Sequence, residues 1–161
     1  MLEQLLLTVL MTSVPLIFAA TGELVAERSG VLNLGVEGMM LMGAVAAFAT
    51  AFGTGNIWFA IIVGGLAGAL TGGVFALFAL GFATNQVATG LALTIFGTGL
   101  SGLVGAPLVG HAIDGLPQIT IPVLSNLPFV GALLFSLDPM AYLAVALLAG
   151  VAWFLLSLIH I

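Results

Sequence analysis

Long runs of apolar residues, broken at only a few places, constrain this chain more than any motif in it. The runs fall at about 5–21, 31–52, 57–82, 87–104 and 139–155 and carry almost no charge. Each approaches the roughly 20 apolar residues that a helix needs to cross a bilayer core about 30 Å thick. A soluble domain keeps about 25% charged residues to face water. Here charged residues make up 4% of the chain and hydrophobic ones 62%. Its solvent is therefore largely lipid, where a peptide group has no water to bond and a spanning segment must satisfy its own backbone. The expectation is an all-α membrane protein of about five transmembrane helices.

The breaks define the organisation. "MLEQLLLTVL" carries an acid and no Lys or Arg, so it lacks the cationic start of a secretory signal and reads as the first span. Pro15 lies inside that span, which membrane helices tolerate. "GTGN" after the second run is a turn signal. The stretch 105–138 holds four of the six prolines, with His111 and Asp114, and is expected to be an irregular or re-entrant connection. Pro139 suits the first turn of the fifth helix, with Asp138 as its N-cap. The last six residues, "LSLIHI", back-translate to CTG-TCT-CTT-ATA-CAC-ATC, the mosaic-end adapter of transposase-based sequencing libraries; an ordinary apolar helix end is the other reading. Residues 156–161 are accordingly set aside as adapter read-through, leaving a transmembrane fragment at 1–155.

Composition also excludes functions. A single basic residue argues against nucleic acid, which calls for clustered Lys and Arg. Cysteine is absent, so no thiolate metal site or disulfide framework is available. His111 and Asp114 alone make a poor metal site, and neither a metal nor a cofactor is expected. "GTGLSG", Gly97 to Gly102, spells a dinucleotide fingerprint but has no preceding strand. "GLSG" suggests the serine of an intramembrane protease, but such a serine requires a His base on another helix. Small residues for helix contact explain these glycines better.

Two further features carry more. Gly64, Gly68 and Gly72 recur every four residues and share one helix face, where small residues let a neighbouring backbone approach. The third span is thus expected to be buried in the bundle. "TNQ", Thr84 to Gln86, places two amides before the fourth run; a capped helix entrance and a solute contact are both open readings.

The stretch "ERSGVLNLGVEGMM" gathers Glu27, Arg28 and Glu37, three of the seven charged side chains, between two apolar runs. If the second helix starts near Val31, Asn33 and Glu37 share a face and Glu37 lies about two turns inside the membrane boundary. An intramembrane carboxylate is costly, so it faces protein or water and is a candidate site, with Arg28 as its countercharge. Gly30, Gly35 and Gly38 permit tight turns or close approach. A polar elbow receiving solute and a charged loop anchoring two helices fit these residues equally.

"ERSGVLNLGVEGMMLMGA" resembles the first signature of ABC-transporter permeases of the branched-chain amino acid and simple sugar type, closest to the nucleoside-like subgroup served by basic-membrane-protein lipoprotein receptors. "TNQVATGLALTIFGTGLSGLVG" is similar to that subgroup's second block, and the likeness runs in order from Met1 to Leu155. The resemblance implies the N-terminal half of a multi-pass permease in the bacterial inner membrane. It also implies an ATP-binding subunit, a second permease subunit and a solute-binding lipoprotein as partners. Solute, a nucleoside or related simple sugar, would pass along the interface of the two permeases, and the chain itself would be no enzyme. No "GK[ST]" loop occurs, in keeping with ATP hydrolysis in a separate partner. Carried over by position, Glu27, Arg28, Ser29, Gly30, Asn33, Gly35, Glu37 and Gly38 match the first block, and Asn85, Gln86 and Gly90 the second. A branched-chain amino acid or sugar permease is the nearest alternative. A secondary carrier or channel would show inverted repeats, and no internal repeat is visible in the chain.

Overall fold

The computed structural model describes residues 2–119 and 135–158. Among them five helices are long and apolar enough to cross a membrane. They are α1 (Leu2–Arg28), α2 (Val36–Thr54), α3 (Ile57–Ala76), α4 (Gln86–Gly105) and α5 (Pro139–Leu158). The chain divides into two compact units, one of Met1–Val25 with Leu116–Ile161 and one of Ala26–Gly115.

In the first unit, Val14 of α1 packs against Ala141 and Ala144 of α5, flanked by Ile17, Phe18, Leu137 and Met140. Two alanines three apart leave room for the valine, the contact that holds helices together where lipid is as apolar as the side chains. Asp138 caps α5, its Oδ1 accepting from the Ala141 N–H at 2.8 Å. Of the expected irregular connection at 105–138, residues 120–134 lie outside the described set. Its described parts include a 3-10 turn at Ala106–Leu108 and non-helical chain from 109 through 119. The helix α5 also runs through 156–158 of the terminal "LSLIHI".

The second unit is built around α2, which contacts both α3 and α4. Its first structural event is a helix stop. Instead of ending near Thr21, α1 runs on through Gly22 and Glu23 to Arg28. Its terminus is a Schellman arrangement: the Gly30 N–H donates to the Glu27 carbonyl and the Val31 N–H to the Ala26 carbonyl, both at 3.0 Å. Gly30 stands at φ +81°, which the motif requires and a side chain resists. Gly30→Ala is expected to destabilise this unit by about 1 kcal/mol, read as an earlier midpoint in denaturant titration of the purified chain.

The second correction concerns the start of α2. It begins at Val36, not near Val31, with 31–33 non-helical. The Asn33 Oδ1 accepts from the Gly35 N–H at 2.9 Å, a local bond that competes with helix. Bonds to α4, described below, hold the same stretch. Asn33 and Glu37 are therefore not on one helix face, and Glu37 is the second residue of α2, exposed, rather than two turns inside the span. There its charge complements the positive end of the helix.

Among the described residues, α3 buries one face, through Ala60, Gly64 and Phe75, while Ile62, Leu66 and Leu70 stand exposed. The expected burial of α3 is thus one-sided. Asn56 caps α3 through Oδ1, which accepts from the Trp58 and Phe59 N–H groups at 3.1 Å. The helix ends in a π-helical turn, Leu77–Gly81, where the Phe82 N–H reaches back to the Leu77 carbonyl at 3.0 Å. Ala83 then takes φ +52° to turn the chain toward α4.

Candidate functional site

The extended segment between α1 and α2 lies on the first turns of α4. Its Leu32 N–H donates to Gln86 Oε1 at 2.8 Å, across 54 residues of sequence. Two residues on, the Leu34 carbonyl accepts from Thr94 Oγ1 at 2.8 Å. Between these bonds sits Gly90. A Cβ there would come within 2.8 Å of the Leu34 nitrogen and 2.9 Å of the Gly35 nitrogen, so only glycine lets the main chains meet. The two motif blocks, separate in the sequence, meet at this contact.

One turn further along, the approach tightens. A Cβ on Gly38 would stand 2.5 Å from the Leu93 carbonyl oxygen, and one on Gly97 would stand 2.6 Å from the Gly38 Cα. Gly35, Gly38 and Gly90 thus make the crossing of α2 on α4. Gly97, the first glycine of "GTGLSG", completes it, whereas Gly99 and Gly102 meet nothing within 4 Å. The opposite side of α2 carries a second glycine contact: Gly43 faces Gly64 of α3, and Gly68 and Gly72 run past Met39.

The polar groups divide by position. Glu27, Arg28 and Ser29 are exposed at the end of α1, where the cation Arg28 suits the negative helix terminus. Asn33 is half-buried, its Oδ1 engaged with Gly35 and its Nδ2 3.7 Å from Met39 Sδ. Asn85 turns back on its own helix, Oδ1 accepting from the Ala88 N–H at 3.0 Å, which is the capping reading. Gln86 bonds the elbow through its Oε1. His111 lies elsewhere, edge-on to Phe52 near the far end of α2 with ring centroids 4.7 Å apart. By helical rise that is about 22 Å from Glu37.

Beside the site, an apolar cavity of about 400 Å³ opens between α3 and α4, walled by Phe75, Phe78, Leu93 and Phe96. The hydroxyls of its threonines are engaged by main-chain carbonyls. Thr71 donates to the Ala67 and Gly68 carbonyls, Thr84 to the Phe78 carbonyl and Thr89 to the Asn85 carbonyl. The elbow, by contrast, carries the exposed charges Glu27, Arg28 and Glu37 and the half-buried amide of Asn33.

Sequence reasoning passed over Thr94 and Glu23. The spacing of Gln86, Gly90, Thr94 and Gly97 continues one stripe along α4, and that stripe was the available signal. Glu23, beyond the apolar run at about 5–21, is half-buried on α1, with Oε2 enclosed.

Residues 5–157 match the family described as branched-chain amino acid transport system / permease component. A Haloferax volcanii ABC transporter permease, provisionally named for glucose, is 43% identical over 145 residues, covering 88% of this chain and 44% of its own length. A guanosine ABC transporter permease of Bacillus subtilis is 32% identical over 159 residues, 91% of this chain and 50% of its own. A nucleoside ABC transporter permease of Lactococcus lactis is 28% identical over 165 residues, 96% and 52% respectively. The chain therefore spans about half the length of the curated relatives it matches. No solved structure matches it.

Proposed function

The chain belongs to the branched-chain amino acid transport system permease family, and from that premise we propose that it forms part of the translocation path of an ATP-driven importer for nucleosides or related simple sugars. ATP hydrolysis belongs to a separate ATP-binding subunit; a second permease subunit and a solute-binding lipoprotein complete the assembly in the cytoplasmic membrane. Three relatives named for glucose, guanosine and nucleosides support the solute class. These solutes share a sugar or sugar-like ring dense in hydroxyls, to which an amide can donate and from which an amide or a carboxylate can accept.

The observation that carries the reading is the junction of the elbow with α4, made by the Leu32 N–H on Gln86 at 2.8 Å. It joins the segment that carries Asn33 and leads into Glu37 to the helix that follows Asn85. Glu37 stands exposed at its lip and can accept a solute hydroxyl there.

The test is uptake by the assembled transporter containing this chain, supplied in turn with labelled guanosine, glucose and leucine. ATP-dependent accumulation of guanosine or glucose is expected. Accumulation of leucine alone overturns the proposal in favour of a branched-chain amino acid permease. In the same assay Glu37→Ala is expected to lower solute uptake by roughly tenfold, the loss of one charge-assisted hydrogen bond of about 1.5 kcal/mol, with assembly intact. Uptake at the unmutated level would leave Glu37 as a helix-terminal charge and nothing more.

A further inference from the structure

We propose that Gln86 and Thr94 are positioning residues, whose side chains dock the main chain of the elbow on α4 and so set where Glu37 stands in the transport path. The inference deepens the transport reading and, in its functional arm, rests on it.

The elbow is oriented in an unusual way. Leu32 and Leu34 are 41% and 42% exposed, so their side chains look outward while their peptide groups face α4. An extended segment at a membrane boundary has no helix or sheet to satisfy those groups and must find partners elsewhere. Two side chains supply them, one on each side of Gly90. The Gln86 amide oxygen accepts from the Leu32 N–H and the Thr94 hydroxyl donates to the Leu34 carbonyl, each at 2.8 Å. Gly90 and Gly35 remove the side chains that would hold the two main chains apart. The result is a short piece of backbone fixed at two points, three residues before Glu37. Each bond is specific in polarity, acceptor for donor and donor for acceptor, so an apolar substitute of the same size cannot replace it.

The chain contains no cysteine, so one introduced at Leu32, on an exposed side chain, gives a unique attachment point for a spin label. In the purified chain, Gln86→Met and Thr94→Val are expected to raise label mobility and speed amide exchange at 32–35, with helix content unchanged. Thr94→Ser keeps the hydroxyl and is expected to restore both. In the assembled transporter the same two variants are expected to raise the KM for solute by roughly three- to tenfold, the weight of one hydrogen bond, with Thr94→Ser again restoring it.

Unchanged mobility and exchange in Gln86→Met and Thr94→Val overturn the docking. Raised mobility with an unchanged KM overturns the positioning role. Should Gln86→Met fail to fold, Gln86→Asn, one methylene too short to reach Leu32, asks the same question. Mobility and exchange need no solute, so an assembly that moves neither guanosine nor glucose would defeat the transport reading while leaving the docking to be judged by the label.

Discussion

Gly97→Leu is expected to prevent stable folding of the unit Ala26–Gly115, the largest single-residue effect anticipated in this chain. Even a methyl group at Gly97 would sit 2.6 Å from both the Cα and the carbonyl oxygen of Gly38. These are backbone atoms, so no rotamer change can relieve the contact; α2 and α4 must separate. Overpacking a well-fitted contact costs about 1–3 kcal/mol where neighbours can shift. Backbone against backbone belongs at the upper end of that range or above it. Separation also draws the elbow off Gln86 and Thr94, leaving two peptide groups without partners. The measurement is the yield of folded, monodisperse protein in detergent, with Gly97→Ala as an intermediate case. Gly99→Leu is the control: it lies on the same helix with nothing within 4 Å, and normal yield is expected. Equal yields for Gly97→Leu and Gly99→Leu would contradict the crossing.

The second large effect is expected on the other side of α2. The glycine row on α3 read as one uniform packing face, with Gly68 as natural a target as its neighbours. The structure distinguishes them. A Cβ on Gly64 would stand 2.7 Å from the Ala47 Cβ and 2.9 Å from the Gly43 carbonyl oxygen, whereas one on Gly68 would meet Met39 oxygen at 3.7 Å, an ordinary contact. Gly64→Ala is therefore expected to cost about 1–3 kcal/mol, while Gly68→Ala stays within about 0.5 kcal/mol of the unmutated chain. Helix propensity favours alanine over glycine by up to about 1 kcal/mol, so Gly68→Ala can come out slightly stabilising. Unfolding of the two variants in a graded denaturing detergent decides the order. A larger loss for Gly68→Ala would mean that α3 meets α2 through a different register.

The five spans were legible because run length and lack of charge are properties of local composition. Where helices begin and end was less so. Gly22 and Glu23 resemble a stop, but one glycine and one acid do not break a helix that lacks a C-terminal motif; the motif comes at Gly30. The start of α2 moved by five residues because Leu32 and Leu34 bond to side chains 54 and 60 residues away, partners no local pattern announces. The candidate site was half legible. Both blocks stood out by charge, amide and glycine content, but their union did not. Gly35, Gly38 and Gly90 lie where main chains approach, a contact the sequence alone did not reveal. The bond from the Leu32 N–H to Gln86 was not legible, because no local pattern announces a partner 54 residues away.

Two of the closest approaches in the second unit, Gly38 with Gly97 and Gly43 with Gly64, are made by main-chain atoms on opposite sides of α2. Such atoms possess no χ angles, so the joint has almost no rotamer compliance. A tilt imposed on α2 is handed to α3 and α4 as rigid levers would hand it on, instead of being absorbed by rearranging side chains. Stiffness of that kind turns a small displacement at one end of the span into motion at the other.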